Sequence, residues 1–210
     1  PQRPRILVLN YPNNPTGATY SAEELEQLAE VARRYSLVVL SDEIYGELHH
    51  RGAHISIARY YHEGTVISGG LSKWCGAGGW RLGALSFPRN LRWLLDGMAV
   101  ASSQIFTSTS APIQYAAVRA FQGGSEIELY LFQVRRILRA LGRWCAARLI
   151  DAGIQVLVPE GGFYLFADFS DFAAQLARRG IRNSRQLAGR LLEDTGVATL
   201  PGAEFGLPAS

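Results

Sequence analysis

The sequence has 210 residues, of which 48% are hydrophobic, and its 21 basic and 18 acidic side chains give a formal net charge of +3. A chain of this size can bury one substantial core or two small ones. Its apolar stretches end well short of the roughly 20 residues that cross a bilayer. Its arginines are scattered and form no basic stripe of the kind that binds nucleic acid. We therefore expect no membrane span and no nucleic-acid partner.

The cysteine content points to a reducing compartment. Cys75 and Cys145 are the only cysteines, and neither lies in a metal-ligand pattern. This argues against a disulfide framework or a structural zinc site and favours a cytoplasmic protein. The chain starts at Pro1 and not at a methionine, and an apolar strand pattern follows at once. We expect further sequence upstream, where any targeting segment would lie.

The first predicted elements are a strand, a loop and a helix. Residues 6–9 form a continuous apolar run, which is typical of a strand buried on both faces. A loop follows over residues 11–20. Ser21 and Glu24 then form a capping box, and apolar residues recur at helical spacing as far as Tyr35.

The same apolar pattern predicts three further strands, at residues 37–40, 66–67 and 82–87. Parallel strands covered by helices suit this pattern best. Side chains at the carboxyl ends of such strands line the ligand crevice. We therefore expect three segments to converge in space: Asn10 onward, Ser41 with Asp42, and residues 68–73.

The second half of the chain has a different order of predicted helices and strands. Helices are predicted at residues 91–101, 112–121 and 126–151, followed by an antiparallel pair, two short helices and a last strand. The pair covers residues 156–158 and 164–169, the helices 171–179 and 184–194, and the strand 197–200. We predict an α/β unit over residues 1–125 and a smaller α+β domain over residues 126–210, which begins with the long helix.

Lys73 is the only lysine among 21 basic residues, the other 20 being arginine. A primary amine that can lose its proton does chemistry that a guanidinium cannot. A lysine retained in such a chain is therefore a candidate reactive residue.

Three motifs surround this lysine in the predicted crevice. They are the sequence NNPTG at residues 13–17, SDEIY at residues 41–45, and GLSK with GAGGWRLG at residues 70–73 and 76–83. In this order they resemble the signature of the class I/II aminotransferases, which are fold type I enzymes dependent on pyridoxal 5'-phosphate (PLP). Residues 114–117, 161–164 and 201–206 resemble later family segments, so the similarity covers nearly the whole chain. It implies that residues 1–125 are the C-terminal portion of the PLP-binding large domain, and that residues 126–210 are a truncated small domain.

The resemblance implies two catalytic residues. Lys73 would hold PLP as a Schiff base (the internal aldimine) and, once displaced by the substrate amine, act as the base at the substrate Cα. Asp42 would face the pyridine nitrogen and keep the ring protonated, since only the protonated ring is a strong electron sink.

The resemblance also implies four further cofactor contacts. Tyr45 and Asn14 would donate hydrogen bonds to the phenolic oxygen of PLP. The fork of Arg81 suits the phosphate group, and Ser72 would add a hydroxyl there. Position 70 is glycine where many members carry serine, which implies a phosphate clamp that has one donor fewer or relies more on backbone N–H groups.

The implied activity is transfer of an amino group between an amino acid and a 2-oxo acid by a homodimer. The same residues serve C–S β-lyases, decarboxylases and ring-forming lyases, because substrate orientation decides the outcome. An aminotransferase-like effector domain of a transcription regulator is another alternative. The family's phosphate loop, stacking aromatic ring and substrate-carboxylate arginine cannot be assigned in this chain. We expect residues 1–210 alone to be inactive.

Other reactive side chains have simpler interpretations. Cys75 lies near Lys73 but has no histidine close in sequence, so we interpret it as a packing residue. His49, His50 and His54 lie within six residues on a polar stretch without metal-ligand spacing. We interpret them as solvated loop residues and expect no metal site.

Overall fold

The computed structural model describes residues 4–206. It contains six strands: β1 (Ile6–Asn10), β2 (Val38–Asp42), β3 (Thr65–Gly70), β4 (Gly83–Ser86), β5 (Gln155–Val156) and β6 (Ala167–Asp168). It contains six α-helices: α1 (Ala22–Arg34), α2 (Arg92–Ile105), α3 (Ala111–Phe121), α4 (Ser125–Asp151), α5 (Ala173–Arg178) and α6 (Ser184–Thr195). The predicted helices are all confirmed within a few residues of their expected bounds.

The described residues form two compact units. The first extends to Cys145 and includes Val158–Leu165, and the second contains Ala146–Leu157 and the residues from Phe166 onward. The boundary thus falls inside α4, whereas the sequence placed all of this helix in the second domain. The division into a large cofactor-binding domain and a small domain at residue 125 stays a prediction.

The first unit is built on a four-stranded sheet with the order β1-β2-β3-β4. The first three strands are parallel, as expected, but β4 runs antiparallel to β3, so the parallel arrangement expected for the strand at residues 82–87 is wrong. A parallel neighbour would need a crossover connection of a dozen or more residues that returns along the sheet, usually through a helix. Here the twelve residues 71–82 contain only a 3-10 helix, Gly78–Trp80, and turn the chain back so that Gly70 and Gly83 pair directly.

Helix α1 covers one face of this sheet. Ser21 caps the helix and forms the predicted capping box with Glu24. The buried face of α1, with Leu25 and Ala29, packs against Leu9 and Val39 of the sheet. Burial of this stripe, at roughly 25 cal/mol for each Å² of apolar surface, is what holds the helix on the sheet.

Two further details of the predicted strands are wrong. The run at residues 6–9 predicted burial on both faces, but Ile6 and Val8 are 61% and 62% exposed because none of the described residues covers that face. Residues 197–200 do not form the predicted strand. A strand needs a hydrogen-bonding neighbour, and no part of residues 4–206 pairs with this segment.

The second unit contains the antiparallel pair β5 and β6, which confirms the predicted pairing over a shorter length. Helices α5 and α6 follow, and Asn183 caps α6 through a hydrogen bond to Gln186 N. A 3-10 helix, Gly202–Phe205, packs its Phe205 ring on Phe166. Within residues 4–206 no helix is long and apolar enough to span a membrane.

Candidate active site

The carboxyl ends of the three parallel strands bring the predicted segments together. Strand β1 ends at Asn10 and β2 at Asp42, and these two residues are paired in the sheet register. Strand β3 ends at Gly70, directly before the loop that carries Lys73. The expected convergence at this edge of the sheet is confirmed.

The Asp42 carboxylate is held by two donors. The Asn10 side-chain amide donates to Oδ2 at 3.0 Å, and the backbone N–H of Ile44 donates to Oδ1 at 3.3 Å. Two bonds to different oxygens fix the plane of the carboxylate at the strand end. Asn10 lies outside the three motifs, although its place at the end of the neighbouring strand was a usable signal for a partner of Asp42.

Tyr45 lies buried one turn beyond Asp42. Its hydroxyl is 2.8 Å from the hydroxyl of Tyr164, a residue that the sequence analysis did not select. Burial raises the pKa of Tyr45 well above its ordinary value, and the charge of Asp42 adds to this. The side-chain amide of Asn14 acts in the opposite direction and favours the ionised form. Tyr45 is therefore a neutral phenol, able to donate a hydrogen bond, near pH 7.

Lys73 is half-buried in the loop after β3. Its Nζ lies 5.7 Å from the centroid of the Tyr45 ring, within the range of a cation–π contact. The structure therefore brings Lys73, Tyr45, Asp42 and Asn14 to one edge of the sheet.

The two residues predicted to bind the phosphate group, Ser72 and Arg81, both lie in the loop between β3 and β4. Arg81 is exposed, has a left-handed backbone (φ 56°), and donates from its guanidinium to the carbonyl of Gly78 at 2.9 Å. Ser72 is half-buried beside Lys73. A Cβ at Gly70 would lie 2.6 Å from the Leu82 carbonyl oxygen, so this glycine allows β4 to approach β3.

A buried polar network lies directly behind Asp42. The Glu43 carboxylate accepts hydrogen bonds from Ser41 (2.8 Å), Ser56 (2.6 Å) and His54 Nε2 (2.8 Å). Burial alone would raise the pKa of Glu43, but these bonds and the charge of His54 outweigh it and lower the pKa below its ordinary value. The network holds the end of β2, which carries Asp42.

The interpretation of the three histidines as solvated loop residues is wrong. His50 is only 6% exposed, and both of its ring nitrogens face backbone carbonyls. His54 is bonded to Glu43. His49 is half-buried, and burial, followed by the charge of Arg135, lowers its pKa to about 4. The contacts of His50 join segments more than one hundred positions apart, which is why the local pattern did not reveal them.

The remaining reactive groups form no second centre. Both cysteines are free, and Cys75 packs against a buried apolar cluster that includes Trp74. Among residues 4–206, no group of three or more histidine, cysteine, aspartate or glutamate side chains is arranged to hold a metal ion.

A mostly parallel α/β sheet whose carboxyl edge carries an amine, a carboxylate and a phenol defines a ligand-binding α/β protein. Comparison with known proteins makes the class specific. The sequence profile of the family "Aminotransferase class I and II" matches residues 1–210, and the chain belongs to this family.

Relatives and solved structures agree with this family. The chain is 35% identical to the aspartate aminotransferase of Geobacillus stearothermophilus, over 98% of the chain and 51% of that protein. A mutant aspartate aminotransferase of Thermus thermophilus superposes with a TM-score of 0.86 at 33% identity, over 96% of this chain and 50% of that one. The N-succinyldiaminopimelate aminotransferase of Mycobacterium tuberculosis gives a TM-score of 0.83 at 31% identity, over 98% and 51%. The chain therefore spans about half the length of these relatives, and the fold type I architecture is confirmed.

Proposed function

We propose that the complete protein is a PLP-dependent aminotransferase that moves an amino group between an amino acid and a 2-oxo acid. The observation that carries this proposal is the convergence of the chain's only lysine with Asp42 and Tyr45 at one edge of the sheet. Membership of the aminotransferase family supports it.

The side chains at this edge fit PLP by their chemistry. An amine matches the aldehyde of the cofactor, a carboxylate matches its pyridine nitrogen, and a phenol with an amide matches its phenolic oxygen. The bound ring supplies an electron sink that no protein side chain provides. Lys73, Asp42, Tyr45 and Asn14 are the residues proposed for these contacts, with Ser72 and Arg81 at the phosphate.

Each residue then has a distinct task. Asp42, oriented by Asn10, would hold the proton at the pyridine nitrogen of the bound cofactor. Tyr45 would donate its proton towards the phenolic oxygen, which its raised pKa permits. Lys73 would hold the cofactor covalently and, once released, would take the proton from the substrate Cα and return it elsewhere on the same face. Arg81 would bind the phosphate group.

The partners proposed are an amino acid, a 2-oxo acid and a second copy of the complete chain. The homodimer and the cytoplasmic location stay predictions. β-Lyase, decarboxylase and ring-forming lyase chemistry would use the same ring-binding residues, since the orientation of the substrate decides which bond breaks.

A half-reaction screen on the complete gene product tests the proposal. Amino acids are mixed singly with the PLP-loaded protein, and formation of the 2-oxo acid is measured together with conversion of the cofactor to its amine form. We expect stoichiometric conversion with at least one amino acid and none in Lys73→Arg. Release of thiol, carbon dioxide or a cyclic product, without conversion of the cofactor, would contradict transamination.

A further inference from the structure

The turn that carries Tyr164 is fixed to the first unit by a set of hydrogen bonds. His50 N donates to the Glu160 carbonyl at 2.7 Å, and Gly162 N donates to the Leu48 carbonyl at 2.9 Å. On its other side, Glu160 N donates to the carbonyl of Gly17 at 2.8 Å. The turn is thus held between the NNPTG loop and the segment that follows Tyr45.

The His50 ring adds a second layer to this attachment. Nδ1 lies 3.1 Å from the Pro159 carbonyl, and Nε2 lies 3.0 Å from the Gly162 carbonyl. The imidazole therefore spans both ends of the turn, with its ring buried. A turn attached in this way presents Phe163 and Tyr164 in one orientation.

Tyr164 uses this orientation to contact Tyr45. The two ring centroids are 5.6 Å apart in an edge-to-face arrangement, and the Phe163 ring packs on Tyr45 in the same manner at 5.5 Å. The hydroxyls of Tyr45 and Tyr164 are 2.8 Å apart. Two neighbouring aromatic rings thus fix the Tyr45 ring, and one of them supplies a hydrogen-bond partner.

The direction of this hydrogen bond follows from the number of protons. A phenol has one proton to donate and lone pairs to accept. If Tyr45 donates its proton to the phenolic oxygen of PLP, it has none left for Tyr164, so Tyr164 must be the donor between them. A donor to the Tyr45 oxygen polarises its O–H bond and strengthens its own donation, by about 10–30% in chains of hydrogen bonds.

We infer that Tyr164 is a positioning residue of the cofactor site. It donates a hydrogen bond to the Tyr45 oxygen, and it thereby directs the Tyr45 proton towards the phenolic oxygen of PLP and strengthens the hydrogen bond between them. This inference rests on the proposed function. It assigns a role to a residue that lies in the sequence 119 positions after Tyr45 and outside the three motifs.

The effect is measurable as the pH at which the absorbance of the bound cofactor changes. A hydrogen bond donated to the phenolic oxygen is most stabilising when the Lys73 nitrogen bound to the cofactor carries no proton. When that nitrogen is protonated, its proton already compensates the negative charge of the oxygen. A weaker hydrogen bond therefore destabilises the form with the unprotonated nitrogen and raises the pH midpoint of the absorbance change. A loss of 10–30% of a charge-assisted hydrogen bond corresponds to roughly a few tenths of a pH unit.

The experiment compares three variants of the complete, PLP-loaded protein. Tyr164→Phe keeps the ring and removes only the hydroxyl, Tyr45→Phe removes the proposed direct donor, and Tyr35→Phe is the matched control at an exposed position at the end of α1. Each is titrated by absorbance. We expect the midpoint to rise by a few tenths of a unit in Tyr164→Phe, to rise further in Tyr45→Phe, and to stay at the parent value in Tyr35→Phe.

Two results would overturn the inference, and they are distinguishable. If Tyr45→Phe shifts the midpoint and Tyr164→Phe does not, the proposed function stands and Tyr164 has no such role. If the parent protein shows no cofactor band that Lys73→Arg abolishes, the proposed function fails, and the role of Tyr164 fails with it.

Discussion

Two neighbouring regions of the first unit differ in how the sequence encodes them. The sheet edge carries Asn10, Asp42 and Lys73 at or just after strand ends, so the order of the strands alone brings them together. The layer behind the edge joins residues 41–56 to the turn at residues 159–164, through contacts that span more than one hundred positions. Local pattern therefore reveals the residues proposed to do chemistry, whereas tertiary packing decides which residues hold them.

The largest effect is expected from a substitution at the sheet edge, on the rate of the reaction. Replacement of Asp42 by alanine should lower the rate of Cα proton removal on the order of 10³-fold, or about 4 kcal/mol, because the electron sink loses its charge partner. Cofactor content should fall far less, since Lys73 and the phosphate contacts remain. Single-turnover kinetics on the complete protein measures this, and an unchanged deprotonation rate would remove Asp42 from its proposed role.

A substitution in the layer behind the edge should lower the stability of the fold. Replacing His50 with alanine removes a buried ring whose two nitrogens lie 3.1 and 3.0 Å from the carbonyls of Pro159 and Gly162, and it opens a cavity. We expect the free energy of unfolding to fall by about 2–4 kcal/mol. The matched control is His62→Ala at an exposed position, where less than about 0.5 kcal/mol is expected. Urea unfolding of the complete protein measures both, and equal losses would mean that His50 does not anchor the turn.

A smaller, pH-dependent effect should distinguish Glu43 from an ordinary surface acid. The pKa of Glu43 is lowered in the folded state, so its ionised form stabilises the fold above the unfolded pKa of about 4.3, and this contribution is lost as the pH falls through the folded value. Glu43→Gln should therefore be less stable near neutral pH and lose less stability on acidification. The exposed Glu26→Gln on α1 is the control, and identical acid profiles for the two variants would contradict the buried network.

The sequence anticipated the helices, the parallel strands and the crevice because these depend on short-range periodicity and on the capping box at Ser21. It did not anticipate the exposed face of β1, since an apolar run does not say which partner covers it. That face remains open in a chain spanning about half the length of its relatives. The long-range partners His50 and Tyr164 lay outside the reach of local patterns for the same reason.

Covalent trapping of the cofactor shows whether Lys73 holds it. The complete protein is loaded with PLP, reduced with borohydride, digested, and mapped by peptide mass. We expect a reduced cofactor attached to Lys73 in the peptide that contains GLSK. A label on a lysine outside residues 1–210, with Lys73 unmodified, would contradict it.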